Sequence, residues 1–122
     1  MTDSTRQSRP ATPNEKGIVD RLLTTEFNGS DTLRRQAASG TVHAADLGGV
    51  LILAFDIPAN VPRAHLEKRI PVEAEGRDAD GMGIHFLLHV VDGLLKEIEI
   101  FREDSQPIKR LPNAEQLALI TN

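Results

Sequence analysis

The chain has 122 residues and a formal net charge of −4, which fits a single domain with one modest core. This charge balance disfavours binding to nucleic acid or to anionic membranes, because both require a concentrated basic surface. The absence of cysteine excludes disulfides, thiolate nucleophiles and zinc–cysteine sites.

The first part of the chain, residues 1–11, is polar and has almost nothing to bury. This composition predicts a disordered tail ahead of a single domain over residues 12–122. The tail lacks the apolar core of a signal peptide, and no apolar run in the chain reaches the roughly 20 residues of a membrane helix. Together these features predict a cytoplasmic protein with no membrane partner.

Two helices are predicted before the first strand. Thr12 and Glu15 have the spacing of a capping box, and apolar residues then recur at helical spacing up to near Glu26. Ser30 or Asp31 is predicted to cap the second helix, which a glycine ends. The inner face of the second helix is predicted to carry Leu33, Gln36 and Ala37.

Beyond residue 40 the apolar pattern alternates, which predicts strands. A Gly48-Gly49 turn joins the first strand to the apolar run 50–56, and the strand 69–76 contains Pro71, which favours a position near a sheet edge. Residues 113–120 are predicted to form a short closing helix. The predicted fold class is α+β, with two N-terminal helices packed on an antiparallel sheet of about five strands.

The pair Asp92-Gly93 lies between two alternating apolar runs and predicts a hairpin. A two-residue turn would place Glu97 opposite Leu88, and burying such a carboxylate without a partner costs several kcal/mol. A three-residue loop keeps the charged and apolar faces apart, which is what fixes a register. The predicted register is therefore the three-residue loop, with His85 opposite Glu99.

This register predicts an outer sheet face that mixes charged, imidazole and apolar side chains. Its members are His85, Leu87, His89, Leu95, Glu97, Glu99 and Phe101. On a strand, the two histidines lie about 13 Å apart and cannot share a metal ion. Two alternatives stay open for this face: it is exposed as a partner surface, or residues 108–120 cover it as a second core.

No complete catalytic or metal-binding set is present, so no catalytic residue, metal ligand or cofactor is assigned. His85 with Glu99 has the composition of an oriented general base, but also that of a cross-strand pair worth about 0.2–1 kcal/mol. An alternative hypothesis is a metal-dependent or acid/base enzyme. It would use Asp78, Asp80, His85 and Glu99.

Residues 72–112 resemble a family of small uncharacterised bacterial proteins. The shared pattern is a DxDG turn, an LLHVxDG hairpin and an LxELEIxRxDGxPI segment. The matching residues are Asp78, Asp80, Gly81, Leu87, Leu88, His89, Asp92, Gly93, Leu95, Glu97, Glu99, Arg102, Asp104, Pro107 and Ile108. Ser105 stands where the pattern has glycine, and a turn that demands positive φ would be strained there. The resemblance implies a small α+β domain and no particular activity.

The function predicted from the sequence is binding. The hypothesis is a small cytoplasmic protein-interaction module, immunity- or regulator-like, whose outer sheet face binds another protein. The likeness to toxin-neutralising immunity proteins is one of size and fold alone. A further alternative is a structural protein that forms a homodimer through the same face.

Overall fold

The structure is a computed structural model that describes residues 7–122. Two helices and a single six-stranded sheet make up this part of the chain. The elements are α1 (Pro13–Leu23), α2 (Ser30–Ser39), β1 (Thr41–Asp46), β2 (Val50–Asp56), β3 (Val72–Arg77), β4 (Gly83–Val91), β5 (Leu94–Arg102), a 3₁₀ turn (Ala114–Gln116) and β6 (Ala118–Thr121). The strand order is β1-β2-β5-β4-β3-β6, and all neighbours are antiparallel. The predicted α+β class is confirmed.

The strand count is six rather than about five, because the predicted closing helix is wrong. Residues 114–116 form only one 3₁₀ turn, and residues 118–121 then pair with β3 as an edge strand. Pairing satisfies the backbone groups along the free edge of β3, whereas a helix of two turns is marginal by itself.

The predicted tail lies partly outside the described residues, since residues 1–6 are not described. Further along, Arg9 and Val42 exchange backbone hydrogen bonds of 2.9 and 2.8 Å at the edge of β1. The Arg9 guanidinium also binds the Glu15 carboxylate at 2.7 Å, so its pairing fixes residue 9 to both the sheet and α1.

The capping box predicted for α1 is confirmed. The Glu15 amide donates to the Thr12 hydroxyl at 3.2 Å, and the Thr12 amide donates to the Glu15 carboxylate at 2.9 Å. The helix ends at Leu23, earlier than predicted, where the Thr24 hydroxyl donates to the Arg21 carbonyl at 2.6 Å. A hydroxyl that satisfies a terminal carbonyl competes with continuation of the helix.

The predicted side-chain cap of α2 is wrong. Ser30 and Asp31 lie inside the helix, and the capping position belongs to Gly29, whose φ of 94° lets the chain enter the helix from a left-handed conformation. Leu33 and Gln36 are buried as predicted, while Ala37 packs against the core from a half-buried position.

The core lies between the two helices and one face of the sheet, called the inner face here. Helix residues such as Leu22 and Leu33 and sheet residues such as Phe86 and Ile98 are all 0% exposed. Burying side chains of this size stabilises a fold by about 1.5–3 kcal/mol each. Both helices therefore pack on one face, as predicted.

The hairpin register predicted from the sequence is wrong, although every residue predicted for the outer face except Leu95 does lie on that face. Val91 pairs with Leu94 across a two-residue turn, and Asp92 and Gly93 both have positive φ, at 53° and 76°. Such turns match the twist of paired strands. A bulge then shifts the register, because Val90 pairs with Leu95 but the next pair joins residues 89 and 97.

The bulge decides which side chains face the core. Lys96 is the extra residue and stays exposed, so Glu97 falls on the polar face rather than beside Leu88. His85 pairs with Phe101 rather than with the predicted Glu99, and Phe86 pairs with Ile100. The bulge at Lys96 thus keeps the carboxylates out of the core, which the predicted three-residue loop would also have done.

Candidate functional site

The candidate site is the outer face, the sheet surface opposite both helices. Its members on the four central strands are Val50, Ile52 and Ala54 of β2, Glu97, Glu99 and Phe101 of β5, His85, Leu87 and His89 of β4, and Glu73 and Glu75 of β3. One row across the sheet runs through Ile52, Glu99, Leu87, Glu73 and Ile120. Apolar side chains therefore alternate with carboxylates across the strands.

Six of the seven residues predicted for this face lie on it. The exception is Leu95, which is only 2% exposed and packs in the core. Its placement follows from the bulge, because Leu95 precedes the extra residue and pairs with the inward-facing Val90. The prediction of an outward Leu95 is therefore wrong.

The closing segment leaves the outer face uncovered. Its Leu117 is 2% exposed, and the Arg21 guanidinium of α1 donates to the Leu117 carbonyl at 3.0 Å. Ala114 lies against Gly17, where a Cβ would come within 3.4 Å of the alanine methyl. Of the two alternatives left open by the sequence, the structure thus favours exposure, since this segment packs on the helical side.

His85 is held by two carboxylates that the sequence analysis did not assign to it. Its Nε2 lies 2.8 Å from the Glu103 carboxylate, and its Nδ1 lies 3.6 Å from that of Glu75. The ring also stacks on Phe101, with a centroid separation of 5.4 Å. The predicted pairing with Glu99 is wrong, since the two residues are offset by two positions in the register.

His89 takes up Glu99 instead. Its Nε2 lies 2.9 Å from the Glu99 carboxylate, and the Arg69 Nε donates to its Nδ1 at 3.0 Å. A guanidinium can only donate, so Nδ1 must accept, and the ring proton is on Nε2, where it is donated to Glu99. Both nitrogens are engaged, which leaves neither available as a base or a metal ligand.

His43 lies at the β1 end of the same face. Its Nδ1 lies 3.0 Å from the Asp56 carboxylate, which also accepts a hydrogen bond from the Ser8 hydroxyl. The carboxylate stands between the hydroxyl and the imidazole. A nucleophilic triad needs the imidazole in the middle, so these contacts do not form one.

A buried arginine organises the turns at the end of the sheet. The Arg102 side chain is 4% exposed and binds Asp78 and Asp104, each at 2.8 Å, and Asp80 at 3.0 Å. Asp78 also accepts from the backbone amides of Lys109 and Arg110, both at 2.8 Å. The cluster therefore ties the turn after β3, the end of β5 and the following loop together.

These contacts control the protonation of the cluster. Burial alone would raise the pKa of Asp78, but hydrogen bonds from the Lys109 and Ala79 amides and from Arg102 together lower it well below its usual range. The hydrogen bond from Arg102 lowers the pKa of Asp104 to about 2. It is also the main cause that lowers the pKa of Asp80. All three carboxylates are therefore ionised at neutral pH.

The residues of the enzyme hypothesis are not brought together. Asp78 and Asp80 bind Arg102, whereas His85 and Glu99 have separate partners on the outer face. Among residues 7–122, no group of three or more histidines and carboxylates is arranged to hold a metal ion. The structure therefore offers the hypothesis no common centre.

Sequence reasoning missed three contributors to these sites: Arg69, Glu75 and Glu103. No spacing links Arg69 to His89, because the contact depends on how the connection between β2 and β3 passes the hairpin. The Arg102 cluster had a signal, since the DxDG and RxD segments of the resemblance contain all four of its members. The pattern alone does not indicate that the four side chains meet.

A family model described as a domain of unknown function, DUF6984, matches residues 8–112. The chain therefore belongs to this family, whose match spans both helices and the first five strands. The sequence motifs and the bacterial origin proposed with the resemblance stay predictions. Comparison with curated proteins and with solved structures gave no match. No described helix is long and apolar enough to cross a membrane.

Proposed function

We propose that the chain is a protein-interaction module that binds a basic partner protein through the outer face. The observation that carries the proposal is the row of alternating apolar and acidic side chains on a surface that neither helix nor the closing segment covers. Ile52, Leu87 and Phe101 lie at the centre of a face that is otherwise polar. An apolar centre surrounded by polar residues is more typical of a surface that binds another protein than of one that only faces solvent.

The charge of the face defines the kind of partner. Glu99 is paired with His89, but the described part of the chain puts no cation within ion-pair distance of Glu73 or Glu97. Covering a carboxylate without giving it a cation is costly. A partner that supplies lysine or arginine side chains at these positions removes the cost and gains from electrostatic steering.

The same charge argues against the homodimer hypothesis. Two copies that meet through this face would bring the glutamates of β3 and β5 close to their counterparts, and like charges in an interface cost several kcal/mol. A heterologous partner has no such constraint. An immunity- or regulator-like role remains the form of binding that we favour for a domain of this size.

The test is capture of partners from a lysate of the source organism, with wild type and the Leu87→Lys variant side by side. Lysine at position 87 lies between Glu73 and Glu99 in the register, so the variant should fold while it replaces an apolar contact with a positive charge at the centre of the face. Leu47→Lys is the matched control, because Leu47 is 65% exposed in the β1–β2 turn.

We expect a basic protein that wild type and Leu47→Lys capture equally, that Leu87→Lys loses, and whose capture weakens with salt. Thermal melting shows whether each variant is folded. Equal capture by a folded Leu87→Lys variant would refute the assignment of the face. If neither wild type nor control captures any protein specifically, binding as the function is contradicted.

A further inference from the structure

A cleft of about 710 Å³ opens at one end of the outer face, where β6 stops short of the end of β3. The last pair between the two strands joins Glu75 and Ala118, whereas β3 continues to Arg77. Residues 110–113 and Gln116 form the opposite wall of the cleft. Its volume is within the range of about 300–1,000 Å³ that is usual for ligand sites.

The floor of this cleft is an open strand edge. The Asn122 amide donates to the Pro71 carbonyl at 3.0 Å, so the odd-numbered residues of β3 direct their backbone groups toward β6. The alternation of an antiparallel ladder directs the backbone groups of Arg77 to the same side. On the other side, the Asp78 amide donates to the Met82 carbonyl at 2.8 Å. Among the described residues, no backbone hydrogen bond joins Arg77 to the segment across the cleft. One donor and one acceptor thus remain for another strand.

Two carboxylates stand beside this edge. Glu75 and Glu103 line the cleft next to His85, and their side chains are 52% and 54% exposed. The guanidinium of Arg77 is turned toward the neighbouring turn, where it donates to the Gly81 carbonyl at 2.9 Å. Arg110 lies on the other wall. The end of the cleft nearest the outer face is therefore acidic.

We propose that the cleft binds an extended segment of the partner that carries a lysine or arginine and adds to β3 beyond the end of β6. Its backbone would pair with Arg77, and its basic side chain would lie over Glu75 and Glu103. This inference rests on the proposed function, because the cleft opens onto the outer face and the segment would belong to the protein bound there.

The probe is a fluorescein-labelled peptide of five residues with a central arginine between valines and blocked ends. Fluorescence anisotropy follows its binding to the full chain. One matched peptide has glutamate in place of arginine, and a second is N-methylated at the arginine. Ala118→Phe fills the cleft, and Leu47→Phe is the control, because Leu47 is 65% exposed in the β1–β2 turn and lies outside the cleft lining.

Wild type and Leu47→Phe should bind the arginine peptide equally. Ala118→Phe and the N-methylated peptide should each weaken binding about tenfold or more, and the double variant Glu75→Gln/Glu103→Gln about fivefold. Equal binding of the glutamate peptide, unchanged binding by Ala118→Phe, or no binding of the arginine peptide at about 5 mM would each overturn the inference.

The Leu87→Lys variant separates this inference from the proposed function. This variant should still bind the peptide, because position 87 is outside the cleft lining. It should no longer capture the partner protein. If the peptide does not bind but partner capture still depends on Leu87, the cleft proposal is refuted and the proposed function stands. If the peptide binds but partner capture does not depend on Leu87, the assignment of the outer face as the partner surface is refuted instead.

Discussion

A serine occupies position 105, where a backbone conformation typical of glycine is found. Ser105 has a φ of 63°, in the region that glycine adopts most easily, and it follows the Arg102 cluster directly. The turn predicted to demand positive φ at this position is therefore present. The Ser105 side chain makes no hydrogen bond within the described residues that would offset the strain.

Replacing Ser105 with glycine should stabilise the fold by about 0.5–1 kcal/mol, because relief of the strained φ exceeds the added entropy of the unfolded chain. Urea denaturation measures the change. The reverse substitution, Gly81→Ser, is the matched control: φ is 88° there and a Cβ would touch nothing within 4 Å, so backbone strain alone should destabilise it. A Ser105→Gly variant less stable than wild type would contradict this account.

The aspartates around Arg102 give the protein an acid-sensitive stability. Their folded-state pKa values lie below the usual value, which for Asp104 means about 2 against about 3.9 in an unfolded chain. Depressed values contribute stability that is complete above the unfolded pKa and is lost as pH falls through the folded pKa. The loss should therefore fall between about pH 5 and pH 2.

Asp104→Asn removes one of these contributions. The variant should be less stable than wild type at neutral pH, but its stability should fall less steeply between about pH 4 and pH 2. Denaturant titrations at several pH values give both quantities. An acid dependence as steep as that of wild type would show that Asp104 is not coupled to folding in this way.

At the scale of elements, the hairpin of β4 and β5 determines what the outer face presents. The Gln36 side chain of α2 holds its tip, since it donates to the Gly93 carbonyl and accepts from the Leu95 amide, each at 2.9 Å. The bulge at Lys96 then sends Leu95 inward and Glu97 outward. Leu95 and Glu97, separated by one residue on the same strand, thus have opposite roles: one packs in the core and the other lies on the candidate site.

The inward position of Leu95 predicts unequal costs for two similar substitutions. Leu95→Ala should destabilise the protein by about 2–5 kcal/mol, because it empties a well-packed site. Leu87→Ala, on the outer face, should cost clearly less. Thermal or urea unfolding of the two variants compares them directly. An equal loss of unfolding free energy in the two variants would mean that Leu87 is buried and that the outer face is covered by another part of the protein.

The sequence predicted these elements to different degrees for physical reasons. Local signals located α1, the Asp92-Gly93 turn and the separation of faces, because capping, positive φ and alternation depend on near neighbours. The bulge and β6 were missed. The pairing of β6 with β3 and the contact of His89 with Arg69 join segments distant in sequence. The bulge lies within one hairpin, but the turn signal does not reveal it, because it depends on which side chains the core accepts.

For the whole molecule, the face and its charge predict a monomer in the absence of the partner. Repulsion between the glutamates of two copies opposes association through the outer face. Light scattering over a range of concentrations should therefore give the mass of one chain at low salt. A dimer that the Leu87→Lys variant dissociates would instead favour the homodimer alternative.

Partner binding through the outer face, rather than through the helical side, can be located residue by residue. The most direct measurement is an NMR titration of the ¹⁵N-labelled chain with the protein that wild type captures. We expect the largest shifts at the amides of Ile52, Leu87, Phe101 and their neighbours on β2, β4 and β5. Shifts confined to the exposed surfaces of α1 and α2, with the outer face unchanged, would contradict it.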